Sequence, residues 1–543
     1  MRPVSSLAVC LMLGAQTLAA QTRESIDVRV IELEATVLDR KGQPVQGLTL
    51  DDFKVRVGKR DVPVTNFYAV RDGKVLADDT PSAPPKEIAT ETSIPTSLVI
   101  FIDDRHLSQR SHSRAMEALK KYVSANVGAS TIATLMRYDR SLEVRIRPTE
   151  RPGPILREIE AVAKSPVLDE IPRERTALLR DIDETLMAIK DSDGRLGPQG
   201  ETPETLFYRI QRYAEQRSSD IDHTLRALEE AIEVASAFTG RKVLLYVSDG
   251  LPQTAALEVF EYWDRALMRT GTYIQGGVMR GDSGEVMRFD RTSAFRRLAQ
   301  TAQRANVSIF SFDAAGLRGE AGRSADHMST LGSLNTTSMH ANQRSGLQFV
   351  AEETGGLYVA NENDIDKVLA RISEQFKSYY SIGIRPPGGS GEIRVTVKNR
   401  PDLRVIAARR SPPRTREDKL EQSLRSRLYT RTAENPLNVT LKTGVAMLTN
   451  GVCVVPIRVL VPQPQLPPDL TPQTVEFRMV MLNEQNDESA IQTATLPFIR
   501  GEVHHPLRLR IRPERLVLST AVSNPMSDET SYLQADVDGT TCR

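Results

Sequence analysis

The sequence predicts an α/β class, a three-layer domain built on a mostly parallel sheet and combined with β-sandwich domains, and three observations predict it. First, "LVIFID" (Leu98–Asp103), "KVLLYVSD" (Lys242–Asp249) and "NVSIFSFD" (Asn306–Asp313) are apolar runs without helical periodicity, each ending in an acid. Central parallel strands, buried on both faces, read in this way. Second, segments of helical period lie between them, at Arg114–Val127 and Asp222–Phe238. Third, both ends of the chain carry period-two alternation, as in "VRVIELEATVLD" and "TVEFRMVML", the mark of half-buried antiparallel strands.

The chain opens with Arg2, an apolar stretch from Val4 to Ala15 and small residues to Ala20, which reads as an export signal over residues 1–20. No later run reaches the length of a membrane-spanning helix, so the mature chain is expected to lack one and to be secreted or periplasmic. Of 543 residues, 71 are Lys or Arg and 70 Asp or Glu, and loss of Arg2 with the signal makes the two equal. A balanced chain of this kind gives no electrostatic case for nucleic acid. The mature chain keeps Cys453 and Cys542. In an oxidising compartment such a pair is expected to form a disulfide, the alternative being a buried thiol and a loose tail.

Residues 25–72 read as a small β unit, 72–95 as a Pro/Ser/Thr-rich linker, and 95–387 as the α/β domain. Strand Leu98–Ile102 comes first, followed by the helix Arg114–Val127, strand Thr131–Met136 and an expected antiparallel edge, Leu142–Ile146. A charged stretch over about 152–220 reads as a helical insertion. Gly316–Asn342 reads as a Gly/Ser/Thr-rich loop over the sheet edge. The strands "GEIRVTVKN" and "LRVIAARR", within 388–410, could return to complete the N-terminal unit. A hinge at 411–436 then leads to a C-terminal β-sandwich over 437–543.

Val37, Asp39, Gly42, Pro44, Val45, Gly47, Leu48, Asp52 and Phe53 match a "V-x-D-x-x-G-x-P-V-x-G-L-x-x-x-D-F" pattern. Glu353-Thr354-Gly355-Gly356 and the pair Tyr379-Tyr380 form a second signature. With the acid-terminated strands, these segments resemble a bacterial family of secreted proteins related to von Willebrand factor A domains, over about Ile26–Arg410. The resemblance implies a metal-ion-dependent adhesion site at the sheet's C-terminal edge, with acids from the first and fourth strands and a D-x-S-x-S motif. Here that motif reads Asp103-Asp104-Arg105-His106-Leu107, so both serines are missing.

Ligands of open α/β sheets bind at that edge, which makes Asp103, Asp104, Arg105, Ser108, Asp249, Gln253 and Asp313 the expected ligand-binding residues. A weak Mg²⁺ or Mn²⁺ site would use Asp103 and Asp249, with Thr224 as the nearest hydroxyl, because such ions need hard oxygen ligands. Alternatively Arg105 supplies the positive charge itself, pairing with Asp103 or Asp249. The resemblance implies a non-enzymatic, adhesion-type binding module whose partner is a protein or an envelope polymer. The alternatives are a metal-dependent hydrolase using Asp103 and Asp249, and a structural envelope component with a vestigial site. Ser248 lacks a nucleophile-elbow context. His504 and His505, adjacent on a strand, point to opposite faces and cannot share an ion. His327 and His340, in the Gly316–Asn342 loop, read as solvated loop histidines, the alternative being contact with a ligand at the sheet edge. Trp263 falls on helical spacing with Val259, Phe260 and Leu267, as a core residue does.

Overall fold

The computed structural model describes residues 31–78, 95–167, 170–191, 202–236, 238, 240–270, 283–316, 333–360, 362–385, 391–409, 416–428, 435–449, 452–462, 474–484, 488–497, 503–525, 529–540 and 542. The expected export signal and Asp326–His327 lie outside them. Two compact units are present, one comprising Val30–Ala235 with Gly240–Pro413, the other built on Arg414–Arg543. No helix among the described residues is long and apolar enough to cross a membrane.

The first unit opens with β1 (Ile31–Leu38), β2 (Phe53–Val57), β3 (Arg60–Val62), β4 (Val64–Arg71) and β5 (Lys74–Asp78). The last of these is a strand where the linker was expected to begin. The α/β part follows with β6 (Thr96–Asp103), α1 (Gln109–Asn126), β7 (Thr131–Asp139), β8 (Ser141–Thr149), α2 (Pro152–Ala163), α3 (Glu170–Asp191) and α4 (Pro203–Ser236). It continues with β9 (Arg241–Ser248), α5 (Leu257–Thr270), α6 (Ser283–Met287), α7 (Thr292–Ala305), β10 (Val307–Asp313), α8 (Ser333–Thr354), β11 (Tyr358–Val359) and α9 (Ile365–Lys377). Then β12 (Ser378–Ile384), β13 (Ile393–Val397) and β14 (Arg404–Ile406) close the unit.

The six-stranded sheet has the order β11-β10-β9-β6-β7-β8 and is parallel except for the β7–β8 hairpin. Leu98 lies opposite Val243, and Ile102 opposite Val247, on adjacent parallel strands. Every residue of β6, β9 and β10 is buried. Leu98, Ile100, Ile102, Val243, Leu245 and Val247 share one core with α1, α2 and α9. The alternate residues face the other way, where Ser311 donates to the Leu347 carbonyl of α8. Chain direction across the sheet reverses between β6 and β9, and such a switch point opens a crevice at the strands' carboxyl ends. Asp103 and Asp249 stand there.

β12 leaves this sheet. It pairs with β1 and β4 in a sheet of order β14-β1-β12-β4-β5, over a second sheet of order β13-β2-β3. The α/β part therefore ends at Lys377 rather than near 387, and it is inserted into a β-sandwich whose strands come from both sides of it. Phe53, Phe67 and Tyr380 meet in the sandwich core at ring-centroid distances of 5.1–5.8 Å. The Tyr380 hydroxyl donates to the Val45 carbonyl and accepts from the Leu48 amide. The two sequence signatures thus meet in space. Asp39 Oδ1 accepts from the Lys41 and Gln43 amides, and Asp52 with Thr49 forms a capping box. Gly356 runs so close to β10 that a Cβ there would lie 1.9 Å from the Ile309 carbonyl oxygen, so the position admits only glycine.

Arg241, 1% exposed, joins the sandwich to the α/β sheet. Its Nε lies 3.1 Å from Glu34 of β1, its Nη1 donates to the Phe376 carbonyl, and its guanidinium stacks 4.2 Å from the ring of Tyr379.

In the second unit, α10 (Arg416–Ser426) occupies part of the expected hinge. The strands that follow are β15 (Thr440–Thr443), β16 (Met447–Thr449), β17 (Val452–Val461), β18 (Thr474–Asn483), β19 (Gln492–Pro497), β20 (Val503–Ile511), β21 (Arg515–Ser523) and β22 (Thr530–Asp538). Strand β17 pairs with β15, β16 and β20, and the other sheet runs β19-β18-β21-β22. Leu420, Leu424 and Leu428 pack on Val480, Leu482 and Ala521. Cys453 is bonded to Cys542, with Cα atoms 5.6 Å apart.

Two outcomes are expected. Arg241→Met leaves Glu34 without its buried partner and lowers stability by about 3–5 kcal/mol in denaturant unfolding, while Glu34→Leu in the same chain recovers part of the loss. Replacing Cys453 and Cys542 by Ser opens a closure spanning 89 positions and lowers stability of the second unit by up to about 4 kcal/mol. Mass spectrometry of the non-reduced chain checks the bond directly, since two free thiols would contradict it.

Candidate functional site

Strand β6 ends in Asp103, whose side chain is fully buried and saturated by protein donors. The Tyr246 hydroxyl donates to Asp103 Oδ2 at 2.6 Å, and the His106 ring approaches the same oxygen through Nδ1 at 2.9 Å. Asp103 Oδ1 accepts from the His106 amide. Burial, then the Asp103 charge, push the Tyr246 pKa well above its ordinary value, so Tyr246 stays a donor.

His106 also connects the two strands, because its carbonyl accepts from the Asp249 amide at 3.1 Å. Asp249 Oδ2 in turn accepts from the Ser108 amide at 2.9 Å. Ser108 caps α1, its Oγ accepting from the Ser111 amide. Gly250 follows with φ at 147°, and a Cβ there would lie 2.7 Å from the Gln343 carbonyl oxygen. The turn after β9 is thereby held against α8.

Asp104 turns away from the edge. Arg137 Nε donates to its Oδ2 at 2.5 Å, and buried His112 places Nε2 3.4 Å from Oδ1 without hydrogen-bond geometry. Burial raises the Asp104 pKa from 3.8 to about 6; Arg137 opposes the rise, and Asp103 and Asp139 add to it. Burial and Arg137 lower the pKa of His112.

Arg105 forms an ion pair with Asp220 of α4, at 3.5 Å. Leu107, where the family has a serine, is buried in the core. Thr224 lies inside α4, fully buried, and its hydroxyl donates to the Asp220 carbonyl of its own helix. Asp313 accepts from Arg344 Nε at 3.0 Å and from the Ala315 amide. The Gln253 amide donates to Ser345 Oγ.

These residues do not fit a divalent ion. Mg²⁺ and Mn²⁺ demand several hard oxygens free to converge. Here Asp103 is saturated by Tyr246 and His106, both family serines are replaced, and the Thr224 hydroxyl is committed. Among the described residues, no group of three or more His, Cys, Asp or Glu could hold a metal. His504 and His505 lie on β20 opposite Leu460 and Val459.

A cavity of about 310 Å³ opens beside Asp249. Of the expected edge residues, Arg105, Ser108 and Asp249 line it; Asp103, Asp104, Gln253 and Asp313 do not. The insertion supplies much of the wall, through Ile171 and Arg175 of α3 and Tyr213, Arg217, Asp220 and Ile221 of α4. His340 lines it too, from α8, which begins at Ser333 inside the segment expected to be loop. Trp263 is fully buried, its ring 5.8 Å from that of Phe207.

Sequence reasoning missed Tyr246, His106, Arg137, Asp220 and Arg217. Only Tyr246 carried a local signal, a hydroxyl in an otherwise apolar strand, because a buried phenol requires a partner.

No family model matches the chain, and no curated protein matches it. Solved structures do match. The pilus adhesin SpaC from Lactobacillus rhamnosus GG, in its open conformation, has 10% identity and a TM-score of 0.28, over 91% of this chain and 57% of that one. A point mutant of the PilB minor pilin from Streptococcus sanguinis has 10% identity and a TM-score of 0.25, over 64% and 88%. The three N-terminal domains of the type V pili tip protein Mfa5 from Porphyromonas gingivalis have 11% identity and a TM-score of 0.25, over 89% and 78%. The chain thus spans little more than half the length of the SpaC structure. At these TM-scores the likeness carries no inference about fold or function.

Asp104 gives a pH test. Its folded-state pKa, about 6, stands above the ordinary 3.8, so the folded chain takes up this proton while the unfolded chain is still ionised. The cost of burying the charge is present in full above pH 6 and is relieved as pH falls from 6 toward 4. The stability of Asp104→Asn relative to the unaltered chain is therefore expected to rise with pH between 4 and 6 and level off above. A difference independent of pH in denaturant titrations would contradict this.

Proposed function

We propose that the chain is an exported, non-enzymatic binding module of the von Willebrand factor A-related type, engaging a protein or envelope polymer at the C-terminal edge of its six-stranded sheet. The adhesion-type metal site is degenerate, and protein groups have taken over the work of the ion. The observation that supports this reading best is the state of the edge. Strands β6 and β9 deliver Asp103 and Asp249 to the switch point, yet Asp103 accepts from Tyr246 and His106, and Asp249 from the Ser108 amide. Asp103, so engaged, is a poor base and a poor metal ligand, and the two carboxylates tie the surrounding turns together, as a rigid recognition surface requires. A cavity lies beside those loops.

Capture from envelope extracts with the unaltered chain and with Asp249→Ala tests the edge. Recovery of a partner is expected to fall with the variant; equal recovery by both excludes the edge as the binding site, and metal-dependent hydrolysis by the unaltered chain would favour an enzyme. In calorimetric titration, Mg²⁺ and Mn²⁺ are expected to bind no more tightly than millimolar. Arg105→Ser, which restores one hydroxyl of the family motif, is the comparison. Micromolar binding by the unaltered chain would show that Arg105 does not stand in for a cation.

A further inference from the structure

The second unit concentrates positive charge on one sheet face. In β17, Cys453, Val455, Ile457 and Val459 pack in the core of that unit, so the residues between them stand on the solvent face. Arg458 is one of these and is exposed. Lys442 of β15 lies directly opposite Arg458, while Arg508 and Arg510 of β20 lie opposite Pro456 and Val454. Opposed residues of antiparallel strands share a face, so the four cations form one diagonal row across three strands. All four are exposed, and none has an ion-pair partner among the described residues. The described part of this face carries no Asp or Glu. The whole chain holds 71 basic and 70 acidic side chains, so composition alone does not account for the row. Like charges set opposite each other destabilise a strand pair, and an anion laid over Lys442 and Arg458 relieves that repulsion.

Exposed apolar side chains adjoin the row. Val445, Met447 and Leu448 are 75%, 55% and 59% exposed, three large apolar residues within four positions. Met447 lies opposite Val454, whose other neighbour is Arg510, so an exposed thioether and a guanidinium end the same rung of the sheet. Val445 stands in a bulge, since three residues separate Thr443 from Met447 while two separate their partners Ile457 and Val454. A soluble polyanion would meet the cations and leave these apolar groups in water. An anionic lipid surface meets both, with phosphates for the cations and the acyl boundary for the aliphatic side chains.

We propose that this face of the second unit docks on an anionic lipid surface, the cation row lying against phosphate headgroups and the exposed end of β16 entering the acyl boundary. The proposal goes beyond the binding reading given above and does not rest on it, because the candidate edge belongs to the first unit.

Co-sedimentation of the full chain, freed of the expected export signal, with phosphatidylcholine vesicles tests it, with and without phosphatidylglycerol. Binding is expected only where phosphatidylglycerol is present. It is expected to fall at least tenfold between about 0.1 M and about 1 M salt, as the screening length shrinks from about 10 Å to about 3 Å. Each cation near an anionic surface is worth about fivefold in partition, so Arg458→Thr with Arg508→Thr is expected to weaken binding about 25-fold. Lys442→Thr with Arg510→Thr is expected to do the same, and this second pair decides the matter if the first fails to fold. Val445→Ser with Met447→Ser is expected to weaken binding at least threefold. Equal binding to both kinds of vesicle, no binding to either, or binding unchanged in both cation pairs overturns the proposal. Dextran sulfate retained by the cations while vesicles are not gives the face to a soluble polyanion and overturns the lipid assignment, as does vesicle binding that the serine pair leaves unchanged. Envelope capture with Asp249→Ala reports on the first unit and stands or falls separately.

Discussion

A fully buried arginine sets the terms on which the first unit folds. Removing a guanidinium from water is tolerable only where its charge and its donors are met together. For Arg241 the charge is met by Glu34, a donor by the Phe376 carbonyl, and the planar face by Tyr379. These partners come from β1, the end of α9 and the start of β12, so the arginine is satisfied only when the sandwich and the α/β sheet are both formed. Arg241 also opens β9, the strand whose far end leads into Asp249. The link that fixes the insertion in its sandwich thus fixes the strand that carries the candidate site.

The same rule, that buried polar groups find partners, explains the sheet edge. An acid at the end of a central strand is an obvious metal ligand when hydroxyls and water surround it. Here a tyrosine on the neighbouring strand and a histidine in the following turn occupy the carboxylate instead. Asp103 has become a structural acceptor that ties the β6–α1 turn to β9. Asp104, turned to Arg137 and His112, does similar work on the side of β7.

Much of this architecture was legible before any coordinates. Strands β6, β9 and β10 were marked by uninterrupted apolar runs, because strands buried on both faces tolerate nothing else. The Glu353-Thr354-Gly355-Gly356 signature was legible; that Gly356 must pass against Ile309 was not, because close approach involves a strand distant in sequence. The segment "SYYSIGI" reads as a buried strand in either sheet, so its place beside β1 was undetermined. The start of α4 was not legible, because helical periodicity marks a helix's body better than its start, and α4 begins well upstream of Asp222, at Pro203.

By itself the sequence determined the central strands of the α/β sheet, the helices Arg114–Val127 and Asp222–Phe238 between them, and that acids stand where parallel strands end. These follow from local rules: side-chain period, β-branching and turn chemistry act over a few residues. Only the tertiary structure decided the partners. Arg105 meets Asp220, 115 positions away, Tyr246 meets Asp103 across 143, and Thr36 donates to the Gln375 carbonyl across 339. The physical reason is that a buried charge or hydroxyl accepts any partner of the right chemistry, and composition offers many. Which one it meets is set by packing, once the apolar surfaces have fixed the strands and helices in place.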